Sequence, residues 1–286
     1  MANFWKRIKD ALLPPRCICC EEGIDFWKRI KDAFLPSHRI RCEEVADFWK
    51  RIKDALLPPR CICCGEYVER VGVCNNCWGG IKWISEPKCE ICGQPLEYET
   101  CKYCVADKNF FDKVVSVMVY EGLTRHLILK FKDSEATLYA PIFARWLNRI
   151  IQNFSHDVDF LVPIPISRKR RFKRKYNQTE LLCIELQKLS GLDYEPRILE
   201  KIRETAPQKS LNRKNRLMNL RKTFSVNENI SVKDKVILLI DDVITTGATA
   251  NACAELLKKA GASKVYVATL ARVILKSNAA DLSISY

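Results

Sequence analysis

Two sets of residues in this 286-residue chain are placed to do chemistry: the adjacent carboxylates Asp241 and Asp242, and eight cysteines arranged as four CxxC units. The carboxylates close the apolar run Val236 to Ile240. They lead into Val243, Ile244, Thr245, Thr246, Gly247, Ala248 and Thr249, and the next, amphipathic segment ends at Lys258, Lys259 and Gly261. A continuous apolar run reads as a strand buried on both faces of a parallel sheet. A segment closing with cations and a glycine reads as a helix. The turn between them falls at the carboxyl end of a central strand, where an open α/β sheet binds its ligand. Small residues there let amides close on an anion, threonine hydroxyls add donors, and the helix start adds partial positive charge. Two carboxylates would repel that anion, so they suit hydroxyls or a metal on the same ligand. Phosphate on one side and a diol on the other describe a ribose 5-phosphate. The blander reading, an aspartate cap before a Thr-rich turn, is outweighed by strand, acids, cup and helix occurring together.

The cysteines form Cys61 with Cys64, Cys74 with Cys77, Cys89 with Cys92, and Cys101 with Cys104. Two CxxC knuckles about ten residues apart can wrap four sulfurs tetrahedrally around one Zn²⁺, which predicts two structural zinc ions with no position open for water. Sequential pairing of the knuckles is favoured, and interleaved pairing stays open. Gly65 and Gly93 stand where each leading knuckle turns tightly, and Trp78 and Trp83 are expected to pack over the ribbons as core residues rather than stack on bases. No run of about 18 apolar residues occurs and the amino terminus lacks a secretory h-region, so the expectation is a cytoplasmic protein with reduced thiols. A net charge of +14 and pI near 9.1 point to polyanionic partners, phosphorylated small molecules and nucleic acid both qualifying.

The elements that must position these groups are legible in part. Val114 to Tyr120, Phe160 to Ile166 and Val265 to Leu270 read as strands; Leu123 to Lys132, Ala136 to Gln152 and Thr179 to Leu189 read as helices. Directly after the second strand, seven of the eight residues from Arg168 to Lys175 are basic, on the same sheet edge as the cup. Cys183 and Cys253, each alone on a helix, read as buried thiols. Ahead of the cysteine pairs, Phe4 to Cys20 recurs letter for letter at Phe48 to Cys64, with a worn copy at Phe26 to Cys42, a spacing of 22 residues. Only the third copy continues into further cysteine pairs, so the repeat reads as a duplicated leader rather than a solenoid. The alternative is a basic amphipathic helix resting on a membrane or nucleic acid.

Ile237 to Thr249 resembles the phosphoribosyl pyrophosphate (PRPP) binding signature of type I phosphoribosyltransferases. From Pro58 onward the chain resembles the ComF family of competence proteins, with Pro163 to Gln178 and Thr205 to Phe224 carrying the narrower match. The resemblance implies an α/β fold: a type I phosphoribosyltransferase-like parallel sheet flanked by helices, preceded by a small Cys-rich tandem zinc ribbon module. The corresponding division is 1–46 duplicated leader, 47–108 double zinc ribbon, and 109–286 phosphoribosyltransferase-like domain. It implies that Arg170 and Arg174 hold pyrophosphate, with Asn177 and Gln178 completing the pattern, although Lys175 and Tyr176 stand where the family has Gly-Phe. It also implies a closing loop in which Arg213 and Arg216, with Arg203 and Lys209, form a cationic lid. In the enzymatic reading, PRPP with Mg²⁺ binds at the cup and Asp241 and Asp242 hold the ribose diol beside the charge developing at C1′. In the other reading the protein binds single-stranded DNA and PRPP is an effector or vestige. Implied partners are PRPP, single-stranded DNA, and a DNA-uptake helicase or other competence proteins.

Overall fold

The computed structural model describes residues 58–96, 101, 104, 109–132, 136–166, 177–203 and 223–275. The chain divides after Pro58, and the described fold is that of the second unit, Pro59–Tyr286. The first two leader copies, and the third up to residue 57, lie outside the described residues.

A short helix, α1 (Asn75–Gly80), stands in the cysteine-rich segment ahead of the sheet. Five strands, β1 (Lys113–Val119), β2 (Phe160–Pro163), β3 (Asp193–Tyr194), β6 (Val236–Ile244) and β7 (Lys264–Arg272), build the central sheet in the order β1-β7-β6-β2-β3. Every pairing in it is parallel. The apolar run of β6 is explained by its central place, since strand side chains alternate between faces and both faces are covered. Leu238 and Ile240 enter a core with helices α2 (Gly122–Lys132), α3 (Ala136–Ile151) and α4 (Gln178–Ser190). Ile237 and Leu239 enter the opposite core, with helix α5 (Ala248–Lys259) and the antiparallel pair β4 (Leu199–Lys201) and β5 (Phe224–Val226).

The expected elements are present with shifted ends. β6 continues past the acids, Asp241 pairing with Thr269 and Ile244 with Arg272, so Val243 and Ile244 belong to the strand and only Thr245 to Gly247 make the turn. β2 is shorter than its apolar run, ending at Pro163, although the amide of Ile164 still donates to Ile240 O. Cys183 and Cys253 are fully buried, and burial pushes both thiols up.

The cysteine-rich segment covers the free side of edge strand β1. Ile84 N donates to Val117 O, Val119 N to Lys82 O and Val114 N to Ile91 O, which closes an edge that would otherwise offer unpaired groups to another chain. Its first half, with Cys61, Ile62, Cys77 and Ile81, joins the α2/α3/α4 core, and its second half, with Cys89, Cys92 and Cys101, joins the α5 core. The ribbons thus straddle the sheet edge. No helix among the described residues is long and apolar enough to cross a membrane.

Candidate functional site

The cup is built by β6 and α5. Gly247 takes φ +77° at the N-cap position, a left-handed conformation that favours glycine. It supplies no side-chain cap to the helix, so first-turn amides without intrahelical acceptors can face an anion, the Ala248 amide having only a long contact to Thr246 Oγ1. Thr245 and Thr246 are exposed, and Ala248 and Thr249 half-buried. The amide of Ala248 lies 3.4 Å from Thr246 Oγ1. Ile244 turns its side chain into the core beside Gly247 rather than toward solvent.

The two acids are not equivalent. Asp242 is held by Lys132 Nζ at 2.9 Å, both side chains largely buried. Asp241 accepts the amide of Asp242 at 2.8 Å. Burial and the charge of Asp242 push its carboxyl up to about 8, against the pull of that amide and of Lys132. Asp242 is thus paired with Lys132, while Asp241 is held toward its protonated form. Lys132 ends α2 and is given no role by the sequence alone. Its carbonyl accepts Gln178 Nε2 at 2.9 Å. Asn177 caps α4 by accepting the amide of Thr179, whose hydroxyl lies 2.7 Å from Asn177 Oδ1 and 3.2 Å from Ile164 O. The Asn-Gln pair thus fastens the ends of β2, α2 and α4 around the acids. Arg170 and Arg174 lie outside the described residues, as do Lys209, Arg213 and Arg216; Arg203 is described, exposed, its amide 3.4 Å from Thr223 O beside the β4/β5 pair.

The sulfurs gather as two groups of four, Cys61, Cys64, Cys74 and Cys77, then Cys89, Cys92, Cys101 and Cys104, each within 4.8 Å. This is the sequential pairing. Sulfur separations of 3.7 Å (Cys64 to Cys74), 3.7 Å (Cys89 to Cys104) and 3.6 Å (Cys92 to Cys101) match the tetrahedron edge of about 3.8 Å implied by Zn–S bonds of about 2.3 Å. Amides face the sulfurs: Cys74 N donates to Cys61 Sγ, Cys77 N to Cys74 Sγ and Cys92 N to Cys89 Sγ. Although burial raises it, amide donation from Cys74, Cys64 and Cys63 brings the Cys61 thiol down to about 6, whereas burial pushes Cys77 up. The donor sets fit two structural zinc ions. Gly65 and Gly93 have φ of +81° and +70°, as the tight knuckle turns require. Trp78 and Trp83 stack at 4.4 Å and both meet Trp146 of α3, yet Trp78 stays 44% exposed, so it is a surface residue rather than core.

A second residue invisible to sequence reasoning is Arg272, the last residue of β7 and buried. Its Nε donates to Gln94 Oε1 at 2.9 Å and its Nη1 to Cys92 O. An arginine ending a strand carries no sequence signal for burial.

A double zinc ribbon domain model matches residues 52–106 and a phosphoribosyl transferase domain model residues 193–280. The chain is 31% identical over 215 residues to competence protein F of Haemophilus influenzae, covering 72% of this chain and 93% of that one. It is 31% identical over 202 residues to competence protein ComFC of Streptococcus pneumoniae, covering 70% and 87%. It is 27% identical over 210 residues to DNA utilization protein YhgH of Escherichia coli K12, covering 71% and 91%. A purine phosphoribosyltransferase from Pyrococcus horikoshii overlays 46% of this chain and 70% of its own with a TM-score of 0.28 at 18% identity.

Proposed function

From the premise that this chain belongs to the ComF family of competence proteins, we propose that it binds PRPP with Mg²⁺ at the β6/α5 cup and serves the uptake of DNA in the cytoplasm. The observation that carries this reading is the acid pair Asp241 and Asp242 at the end of the central strand, a few residues before an uncapped helix start at Gly247. Residues 47–108 are then the zinc module and 109–286 the ligand domain.

In this reading the amides of the Thr245 to Thr249 turn take the 5-phosphate. Asp242, and Asp241 once it loses its proton, take the ribose hydroxyls. Arg170 and Arg174 hold the diphosphate, and Arg213 and Arg216 close over it. Two carboxylates are what Mg²⁺ commonly uses when substrate phosphates and water complete its shell, and the ion would screen the diphosphate from the acids. Transfer would rest on positioning and electrostatics, with the carboxylates beside the positive charge that grows at C1′ as pyrophosphate leaves.

Calorimetric titration of PRPP with and without Mg²⁺ tests the binding. Tight binding only with the metal is expected, and equal affinity in both overturns the reading. Pyrophosphate release with a panel of acceptor bases then separates an enzyme from a protein for which PRPP is an effector. Anisotropy of a labelled single strand, titrated with PRPP, reads whether the cations of 168–175 serve DNA as well. Displacement marks a shared site, and its absence puts DNA elsewhere.

A further inference from the structure

We infer that the second four-cysteine cluster and the phosphate cup form one mechanical unit, with Arg272 as the positioning residue between them, so that the state of this cluster alone sets the affinity of the cup. The inference rests on the reading of the cup as a phosphate site.

Three connections carry it. Arg272 pairs in the sheet with Ile244, the residue immediately before Thr245, and the next amide, Val273 N, donates to Ile244 O at 2.9 Å. Its guanidinium, on a side chain in a residue only 3% exposed, is anchored on Cys92 O and Gln94. Asn109, Phe110 and Phe111 run as a strap from the cluster to the cup. Asn109 Nδ2 donates to Cys104 Sγ at 3.5 Å, Phe110 N donates to Asn251 Oδ1 in α5 at 2.6 Å, and the buried Phe111 ring stands 3.7 Å from where a Cβ on Gly247 would be. Finally, one small cleft has Cys92 and Cys104 on its lining together with Thr246 and Gly247.

The described contacts of the first cluster lead through α2 to the acid pair rather than to the Thr245 to Thr249 turn, since the helix that carries Lys130 ends at Lys132 on Asp242. The knuckle of that cluster is fastened to the helices of the other face, Ile62 O accepting Tyr139 Oη at 2.9 Å and Cys63 O accepting Lys130 Nζ at 3.1 Å. A metal held by Cys89, Cys92, Cys101 and Cys104 fixes the Cys92 carbonyl and the Cys104 sulfur. Those two atoms fix Arg272 and the strap, and hence the backbone whose amides make the cup. Outer-shell partners of this kind change affinity at the site they orient. Because coupling is reciprocal, a ligand in the cup must raise the metal affinity of the second cluster by the same factor, and so slow its modification.

The test uses the full chain loaded with zinc and ribose 5-phosphate as probe. Pulsed alkylation in the presence of a chelator, read by mass spectrometry, reports each cluster separately, and calorimetry reports the ligand. Ribose 5-phosphate is expected to slow modification of Cys89, Cys92, Cys101 and Cys104 while leaving Cys61, Cys64, Cys74 and Cys77 unchanged. Arg272→Lys, which keeps the charge but loses the fork, is expected to remove that protection and weaken the probe about 10-fold. Tyr139→Phe, which loosens the first ribbon, is expected to change neither. Binding by the unaltered protein with both clusters protected alike, or with neither, overturns the coupling alone, as does unchanged affinity in a folded Arg272→Lys. Absence of any ribose 5-phosphate binding by the unaltered protein overturns the cup reading and the coupling with it.

Discussion

Lys132 Nζ lies 2.9 Å from Asp242 Oδ1, joining the last residue of α2 to the acid pair of β6 with the two side chains only 22% and 15% exposed. A pair this sheltered is weak evidence for net stability, but removing one partner leaves the other charged and poorly solvated. Lys132→Met is therefore expected to cost about 2 kcal/mol in urea denaturation, less than a fully buried pair because solvent reaches both groups. Asp242→Asn in the same chain should restore part of that loss. Additive losses in the double-mutant cycle would show that the two groups do not interact.

The raised pKa of Asp241, about 8, gives the protein a pH dependence of definite sign. An unfolded aspartate loses its proton near pH 4, whereas the folded one keeps it until about 8. The stability due to this group is thus fully present at low pH and is lost as pH rises through that interval, with a slope of at most about 1.4 kcal/mol per unit. Asp241→Asn should flatten this portion of the profile and raise the denaturation midpoint at pH 8 while weakening PRPP binding. A profile between pH 5 and 8 that the substitution leaves unchanged would contradict the assignment.

Two glycines at positive φ should respond differently to alanine. At Gly93 a Cβ would fall 2.6 Å from Val114 O, a backbone atom of β1, whereas at Gly247 the nearest atoms, of the Ile244 and Phe111 side chains, are 3.7 Å away, an ordinary contact distance. Gly93→Ala is expected to cost about 3 kcal/mol or more, by pushing the second ribbon off the sheet edge. Gly247→Ala should cost about 1 kcal/mol, the price of the left-handed backbone alone. Thermal melting of the two variants checks the order.

Metal analysis of protein purified under reducing conditions should find two zinc ions per chain, one for each group of four sulfurs. Deleting residues 1–46 should leave both in place and leave PRPP affinity unchanged, since the third leader copy alone runs on into Cys61 and Cys64. Failure of the shortened chain to fold would overturn the duplication reading.

What the sequence by itself determined is whatever is contiguous in the chain. The strand, acids, turn and helix of Val236 to Gly261 follow one another, so their order alone places the turn at the end of a buried strand, and the CxxC spacing alone makes each knuckle. Local pattern failed where a boundary depends on neighbours: β6 runs on through Asp241 to Ile244 because β7 continues beside it. Only the tertiary structure decided which sulfurs share a metal and that the two ribbons lie on opposite faces of one sheet edge. It also decided that the acids differ. Their identical side chains are told apart by their partners, Lys132 on Asp242 and the amide of Asp242 on Asp241. Arg272 and Cys92, 180 residues apart, show the reason: burial and pairing are properties of what folding brings together, and no periodicity along the chain encodes a partner at that separation.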